Sequence, residues 1–420
     1  MACIKLRNPS IPKSTKGWLL IDDLSLPRFW ATVWADVLKA CMGSTTRGHH
    51  LYAVERFYQA TDRQFGSGAL DRMLSELDMP ALEAALSSFL VSLRNDGNLR
   101  GVDNNQAWGS AKSFVADIVS HLSASSAGDY SKIHGRLLRL DRLYSQVSPA
   151  RPKPPAAIRA LPAVVVEDLY EIFSPESLRN PFRTKALQWL NFLMFLLMLH
   201  LGLRRSEIAI LPADAIKSDF DIISGEDRFW LNIVESPYED EDIRFNAPSL
   251  KTENSRRQLP LTAEIVSVSD IVLGNYRKKA SHSYLFGSQQ NKPLSLRSIH
   301  RVFEVASENL SSAAKKELAM RNRSSVTAHD LRHTCAVYRL GRYVSLGDEI
   351  DMAAERLRVF FGWAPSSPMP RHYARAYEVR ALEQCSWPHF GVRYYLFNAP
   401  IYRPVPYSST LHNHYPAARW

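Results

Sequence analysis

Four short stretches hold side chains that together could act on a phosphodiester. The first, HLGLRRSEI (200–208), runs from an apolar segment through Gly202 into Arg204, with Glu207 three residues on. A guanidinium is permanently charged and forked, so an arginine ending a buried helix can aim parallel N–H donors at an anion, and Glu207 is spaced to pair with it. The second, LKTENSRRQLPL (250–261), puts Lys251 at the turn of an expected hairpin whose return strand is 257–261. The third, AHDLRHT (328–334), sets His329 and Arg332 on one helix face. His333 gives the H-x-x-x-H spacing of a zinc site, but Asp330 stands where that chemistry needs glutamate and Arg332 would put a cation beside the metal. No metal is expected. The fourth, FGWAPSSPMPRHYARAY (361–377), carries Trp363 and two phenols one helical turn apart, Tyr373 and Tyr377.

Singly, each stretch has a plain reading: a surface ion pair, an exposed turn lysine, an aromatic pair in a core. Together they suit phosphoryl transfer with a covalent step. A phenol with a pKa of about 10 attacks poorly unless its proton is removed and the developing charge is stabilised. Two guanidiniums can clamp the non-bridging oxygens, a lysine can protonate the leaving alkoxide, and imidazole and indole can add donors. Such a set requires no cofactor and no nucleotide, and the sequence has neither a Walker A loop nor a G-x-G-x-x-G.

The order R…K…H-x-x-R…W…Y resembles the catalytic domain of the tyrosine recombinase (phage integrase) family, with GLRRSEI, KTENSRRQLPL, HDLRHT and FGWAPSSPMPRHY as its boxes. The resemblance implies that Arg204 and Arg332 bind the scissile phosphate, that Lys251 is the general acid, and that His329 assists proton transfer or phosphate binding. Trp363 stands where the family has His or Trp, donating through its indole N–H. Tyr373 would attack, leaving a 3′-phosphotyrosyl link and a free 5′-hydroxyl. Trp363 and Tyr373 are 10 apart, one more than the usual pattern, with prolines between, which keeps Tyr377 as the other candidate. The implied partners are double-stranded DNA and further copies of the chain in a tetramer on two duplexes. Expected DNA contacts are Arg151, Lys153, Arg159, Arg205, Arg256, Arg257 and His333. Three other functions compete: a DNA-binding protein of the same fold without catalysis, a type IB topoisomerase and a metal-dependent nuclease.

The elements that must carry these residues read as mainly helical with a small antiparallel sheet. Apolar residues at i, i+3, i+4 spacing predict helices over 27–42, 49–61, 80–94, 105–122 and 132–147, a small all-α domain, and the resemblance implies that 30–147 is the family's SAM-like core-binding domain. Residues 1–29 have no assigned role. Residues 148–162, SPARPKPPAAIRALP, form a basic, proline-rich linker, since proline this dense forbids regular structure. An α+β catalytic domain is expected over 163–388, with helices over 166–173 and 184–211, strands over 228–235 and 256–261, and helices again from 296. The acidic run 239–242 reads as a solvated loop. The resemblance implies that the two domains form a clamp on DNA, with 389–420 as a tail that packs on a neighbouring protomer or stays disordered.

At 420 residues the chain has length for at least two compact units, and 45% hydrophobic against 22% charged residues is the composition of a globular protein. A net charge of +10 favours a polyanionic partner. Four scattered cysteines exclude a disulfide scaffold and fit a cytoplasmic protein. The apolar run 186–203 has about the length of a membrane span, but Gln188, Asn191 and His200 interrupt it, so a buried core helix is expected.

Overall fold

The computed structural model describes residues 2–6, 17–95, 104–123, 130–145, 158–223, 225–236, 238, 242, 244, 247–250, 252–277 and 280–386. The chain divides into two compact units, Met1–Ala156 and Ala157–Trp420. Expectations for Arg151, Lys153, Lys251 and the tail 389–420 lie outside the described residues.

The first unit opens on two paired antiparallel strands, β1 (Ala2–Lys5) and β2 (Trp18–Ile21). Helices α1 (Phe29–Val33), α2 (Ser44–Phe65), α3 (Ala69–Ser75), α4 (Met79–Asn95), α5 (Asn104–Ser123) and α6 (Tyr130–Ser145) follow. Their apolar faces bury Trp34, Phe57, Tyr58, Phe89 and Phe114, and Leu20 of β2 joins the same core. The unit therefore extends beyond the helical range 30–147 into the unassigned residues 1–29. The strands escape an α-only reading because each has only four residues, too few for a periodic signal to stand out. α3 has seven residues and is hidden between Gly68 and the next helix for the same reason.

The second unit begins with α7 (Ala163–Phe173) and α8 (Lys185–His200). α8 is the apolar run of the sequence; its residues 193–199 are all buried, which places it in the core. No helix among the described residues is long and apolar enough to cross a membrane. The helix expected over 184–211 is interrupted. Gly202 adopts φ +60, and Arg204 is extended before α9 (Arg205–Ile210) resumes. A sheet of β3 (Ile216–Asp221), β4 (Glu226–Ile233) and β5 (Arg257–Pro260) follows, all antiparallel, with β4 central. Pro260 cannot donate a ladder hydrogen bond and lies accordingly on an edge strand.

Helices α10 (Ala263–Ile271), α11 (Leu296–Glu308), α12 (Ser312–Ala319), α13 (Ala328–Ser345), α14 (Ile350–Phe361) and α15 (Met369–Ser386) complete the unit. One core joins α7, α8 and α13 to the sheet and ends at Phe361, Trp363 and Tyr373. Two expectations are corrected here. Residues 158–162 of the expected linker are packed on the second unit: the Leu161 N–H donates to Thr334 Oγ1 at 2.9 Å and Arg159 pairs with buried Asp330 at 2.8 Å. Of the acidic run, 239–241 lie outside the described residues; the side chain of Asp242 is buried rather than solvated, taking hydrogen bonds from Arg244 at 2.6–3.0 Å and from Tyr284 at 3.2 Å.

Candidate active site

Glu207 is the hub of the first half of the site. It is 1% exposed on the first turn of α9, and its carboxylate accepts from the Arg204 backbone N–H at 2.9 Å and from Arg204 Nη1 at 2.6 Å. Arg257, at the start of β5, donates to both Glu207 oxygens at 3.1 and 2.9 Å. Burial alone would raise the acid's pKa, but Arg257, with Arg332 and Arg204, holds it down to about 2. One anion thus fixes two guanidiniums from different elements. Arg204 Nη1 also reaches Ser255 Oγ at 3.2 Å, which ties it to the segment directly following Lys251.

Arg332 comes from the first turns of α13 and is 5% exposed. Its Nη1 donates to the Gly202 carbonyl at 2.5 Å and its Nη2 to the Phe361 carbonyl at 3.0 Å. Arg257 Nε donates likewise to the Phe360 carbonyl at 2.9 Å. The last carbonyls of α14 are orphans of the helix, so two arginines satisfy them and sit at the negative end of its dipole. Burial, with repulsion from Arg204, lowers the Arg332 pKa to about 9, still cationic at neutral pH. Its guanidinium lies 4.6 Å from the Phe361 ring centroid and 5.8 Å from that of Trp363.

Those rings lead to the phenol. Phe361 stacks on Trp363 at 4.9 Å and Trp363 on Tyr373 at 5.7 Å, both within 14° of parallel. Tyr373, on the first turns of α15, is 2% exposed, and its hydroxyl lies 2.7 Å from His333 Nδ1. His333 Nε2 lies 3.1 Å from His329 Nε2, and His329 is open to solvent. Burial raises the Tyr373 pKa, with Arg332 opposing. Burial and the neighbouring His329 lower that of His333 to about 3, so it is neutral at neutral pH. Contacts run without a gap from Arg204 through Glu207, Arg257, the end of α14, Arg332, Trp363, Tyr373 and His333 to His329. Two glycines permit the closest approaches. A Cβ on Gly202 would overlap Phe361 Cε1, and one on Gly362 (φ +59) would lie 2.6 Å from the Asn254 carbonyl oxygen.

Residues 161–342 match the model of the phage integrase family. That match lies within the second unit and spans less than half of the chain. No curated protein matches the chain. Solved structures do: an integrase of transposon Tn1549 in complex with transposon right end DNA (15% identity, TM-score 0.47, covering 80% of this chain and 99% of that one). XerH recombinase bound to a palindromic difH substrate has 15% identity and a TM-score of 0.42, covering 82% and 97%. A lambda integrase dimer bound to a core site has 14% identity and a TM-score of 0.42, covering 82% and 76%.

Within the second unit, Arg204, Arg332, His329, Trp363 and Tyr373 lie in one cluster. Tyr377, one turn beyond Tyr373, is partly buried against the same core. Trp363 is buried as the middle ring of the aromatic stack. Three expected DNA contacts have other roles in the structure. Arg257 is committed to Glu207 and to the Phe360 and Ser255 carbonyls. His333 is buried between His329 and Tyr373. Arg159 pairs with Asp330 while remaining partly exposed. Arg205 is exposed, and Arg256 pairs with Glu235 at 2.6 Å on the surface. The sequence did hold a signal for His333: four residues from His329, it must share that helix face. Nothing in spacing or composition marks Arg257 as buried.

Proposed function

We propose that the chain is a site-specific DNA recombinase that cleaves and rejoins strands through a 3′-phosphotyrosyl intermediate on Tyr373. The observation that carries this is the unbroken contact path from two guanidiniums, Arg204 and Arg332, to a buried phenol whose hydroxyl already touches an imidazole. Arg204 and Arg332 bind the non-bridging oxygens and stabilise the charge of the transition state. Lys251 protonates the leaving 5′ oxygen, and His329, with an edge in solvent, contacts the phosphate or exchanges the proton. The ester bond is conserved in the phosphotyrosyl link, so rejoining needs neither metal nor nucleotide. The same chemistry runs in reverse when another strand's hydroxyl attacks. The two units clamp duplex DNA, and tetramers synapse two sites.

The test is a duplex nicked near the cleavage site, from which the short product diffuses away and leaves the protein attached. Wild-type protein is captured covalently. Tyr373→Phe binds the duplex but forms no adduct, whereas Tyr377→Phe is captured like wild type. Adduct formation by Tyr373→Phe, or its loss only in Tyr377→Phe, overturns the assignment. Exchange between two duplexes of matching sequence, rather than relaxation of any supercoil, separates a recombinase from a type IB topoisomerase.

A further inference from the structure

We infer that His333 is a catalytic residue of this site: it takes the Tyr373 proton on Nδ1 while releasing its Nε2 proton to His329. This rests on the phosphotyrosyl reading above and deepens it. The starting observation is that the nucleophile's hydroxyl has a built partner, His333 Nδ1 at 2.7 Å, deep in the protein. The partner's other ring nitrogen faces a second imidazole at 3.1 Å, and only that second ring reaches solvent.

A neutral imidazole carries one N–H and one lone pair. With Tyr373 donating to Nδ1, the proton of His333 must be on Nε2, where it donates to His329 Nε2. The three groups then form one hydrogen-bonded chain with a single direction, from a buried phenol to an exposed ring. His333 is held neutral, and so able to accept, by burial and by the positive field of Arg159 and Arg332, with His329 and His372 the other titratable groups facing it. His329 is itself lowered by its surroundings, chiefly partial burial and Arg332. It is the member that can hand a proton to water.

The step balances. The Tyr373 oxygen–phosphorus bond forms as the bond from phosphorus to the 5′ oxygen breaks. The phenolic proton goes to His333 Nδ1, the Nε2 proton of His333 goes to His329 Nε2, and the 5′ oxygen leaves with the Lys251 proton. His329 becomes an imidazolium beside the phosphate and loses its proton to solvent. A removed general base costs about 10²–10⁴ in rate.

Asn places an amide near the position of Nδ1 and keeps a hydrogen bond to Tyr373 without a base; Leu keeps bulk and no polar atom. Single-turnover adduct formation on the nicked duplex is measured from pH 6 to 9 for wild type, His333→Asn and His333→Leu, with duplex binding as the control for folding. Expected are a rate loss of at least about 100-fold for both variants at neutral pH and a rate in His333→Asn that climbs tenfold per pH unit as hydroxide replaces the missing base. Parallel pH profiles of wild type and His333→Asn, or faster capture by His333→Leu, overturn the inference; the latter means that His333 restrains the tyrosine. In full-length wild-type protein with ¹⁵N-labelled histidine, His333 must be the Nε2–H tautomer, and an Nδ1–H tautomer overturns the direction of the chain even if no variant folds. Absence of any wild-type adduct refutes the phosphotyrosyl reading, and this inference with it, whereas a wild-type adduct with unimpaired His333 variants refutes this inference alone.

Discussion

Glu207 holds one negative charge among Arg204, Arg257 and Arg332, and the sign of its contribution can be worked out. Its folded pKa, about 2, is depressed from an ordinary 4.5. A depressed acid contributes stability that is complete above its unfolded pKa and lost as pH falls through the folded one. The window therefore runs from about pH 4.5 down to about 2, and the contribution is on the order of 3 kcal/mol. His333, lowered from 6.5 to about 3, acts in the same direction over a higher window, because the buried ring must charge as acid unfolds the chain. Glu207→Gln removes the anion and leaves the guanidiniums uncompensated, which in a buried pair costs about 3–5 kcal/mol. Thermal melts of wild type and variant from pH 7 to 3 should show a lower melting temperature for the variant at neutrality and a gap that narrows toward acid. A gap independent of pH refutes the hub role. Glu207 was legible as a partner for Arg204 from three-residue spacing. Its second clamp, Arg257, was not, because a contact between residues 50 apart in sequence leaves no local pattern.

At the scale of elements, the site depends on where helices stop. α8 must end at His200 so that the Gly202 carbonyl is free for Arg332, and α14 must end at Phe361 so that its last carbonyls face Arg257 and Arg332. The stops at Gly202 and Gly362 are readable as glycines in the sequence, and the apolar run before Gly202 announces a buried helix. What the carbonyls do is unreadable, since backbone groups carry no identity in a sequence. β3 was missed because IKSDFD has polar residues on both faces, fitting an exposed edge strand rather than an alternating one. Gly202→Ala combines a backbone strain of about 1–3 kcal/mol with a clash against Phe361 Cε1 and Cys335 Sγ. Gly225→Ala has a similar φ of +70 but nothing within 4 Å of the added carbon. Urea unfolding should rank Gly202→Ala well below Gly225→Ala, and only the former should slow adduct formation. Equal losses in the two would mean that backbone strain alone matters and that the approach of Phe361 to residue 202 does not.

For the whole molecule, a net charge of +10 says that a polyanion is welcome and says nothing of which cations meet it. The structure sorts them by commitment. Arg257 and Arg332 are spent inside the second unit, so their loss should damage folding or chemistry rather than shift a salt dependence. Arg205 is exposed beside the cluster, and Arg151 and Lys153 belong to the proline-rich segment joining the units. Each phosphate that a side chain no longer neutralises lowers the slope of log affinity against log salt by about 0.9 on duplex DNA. Binding of full-length protein to duplex is therefore measured from about 50 to 300 mM salt. Arg205→Gln should flatten the slope by about one, and the double substitution Arg151→Gln with Lys153→Gln by about two. Arg256→Gln, already paired with Glu235 on the surface, should change it by less than Arg205→Gln. A slope unmoved by both Arg205→Gln and the linker pair would mean that DNA meets other faces of the two units, and the clamp would have to be redrawn around residues such as the exposed Arg371 and Arg375 of α15.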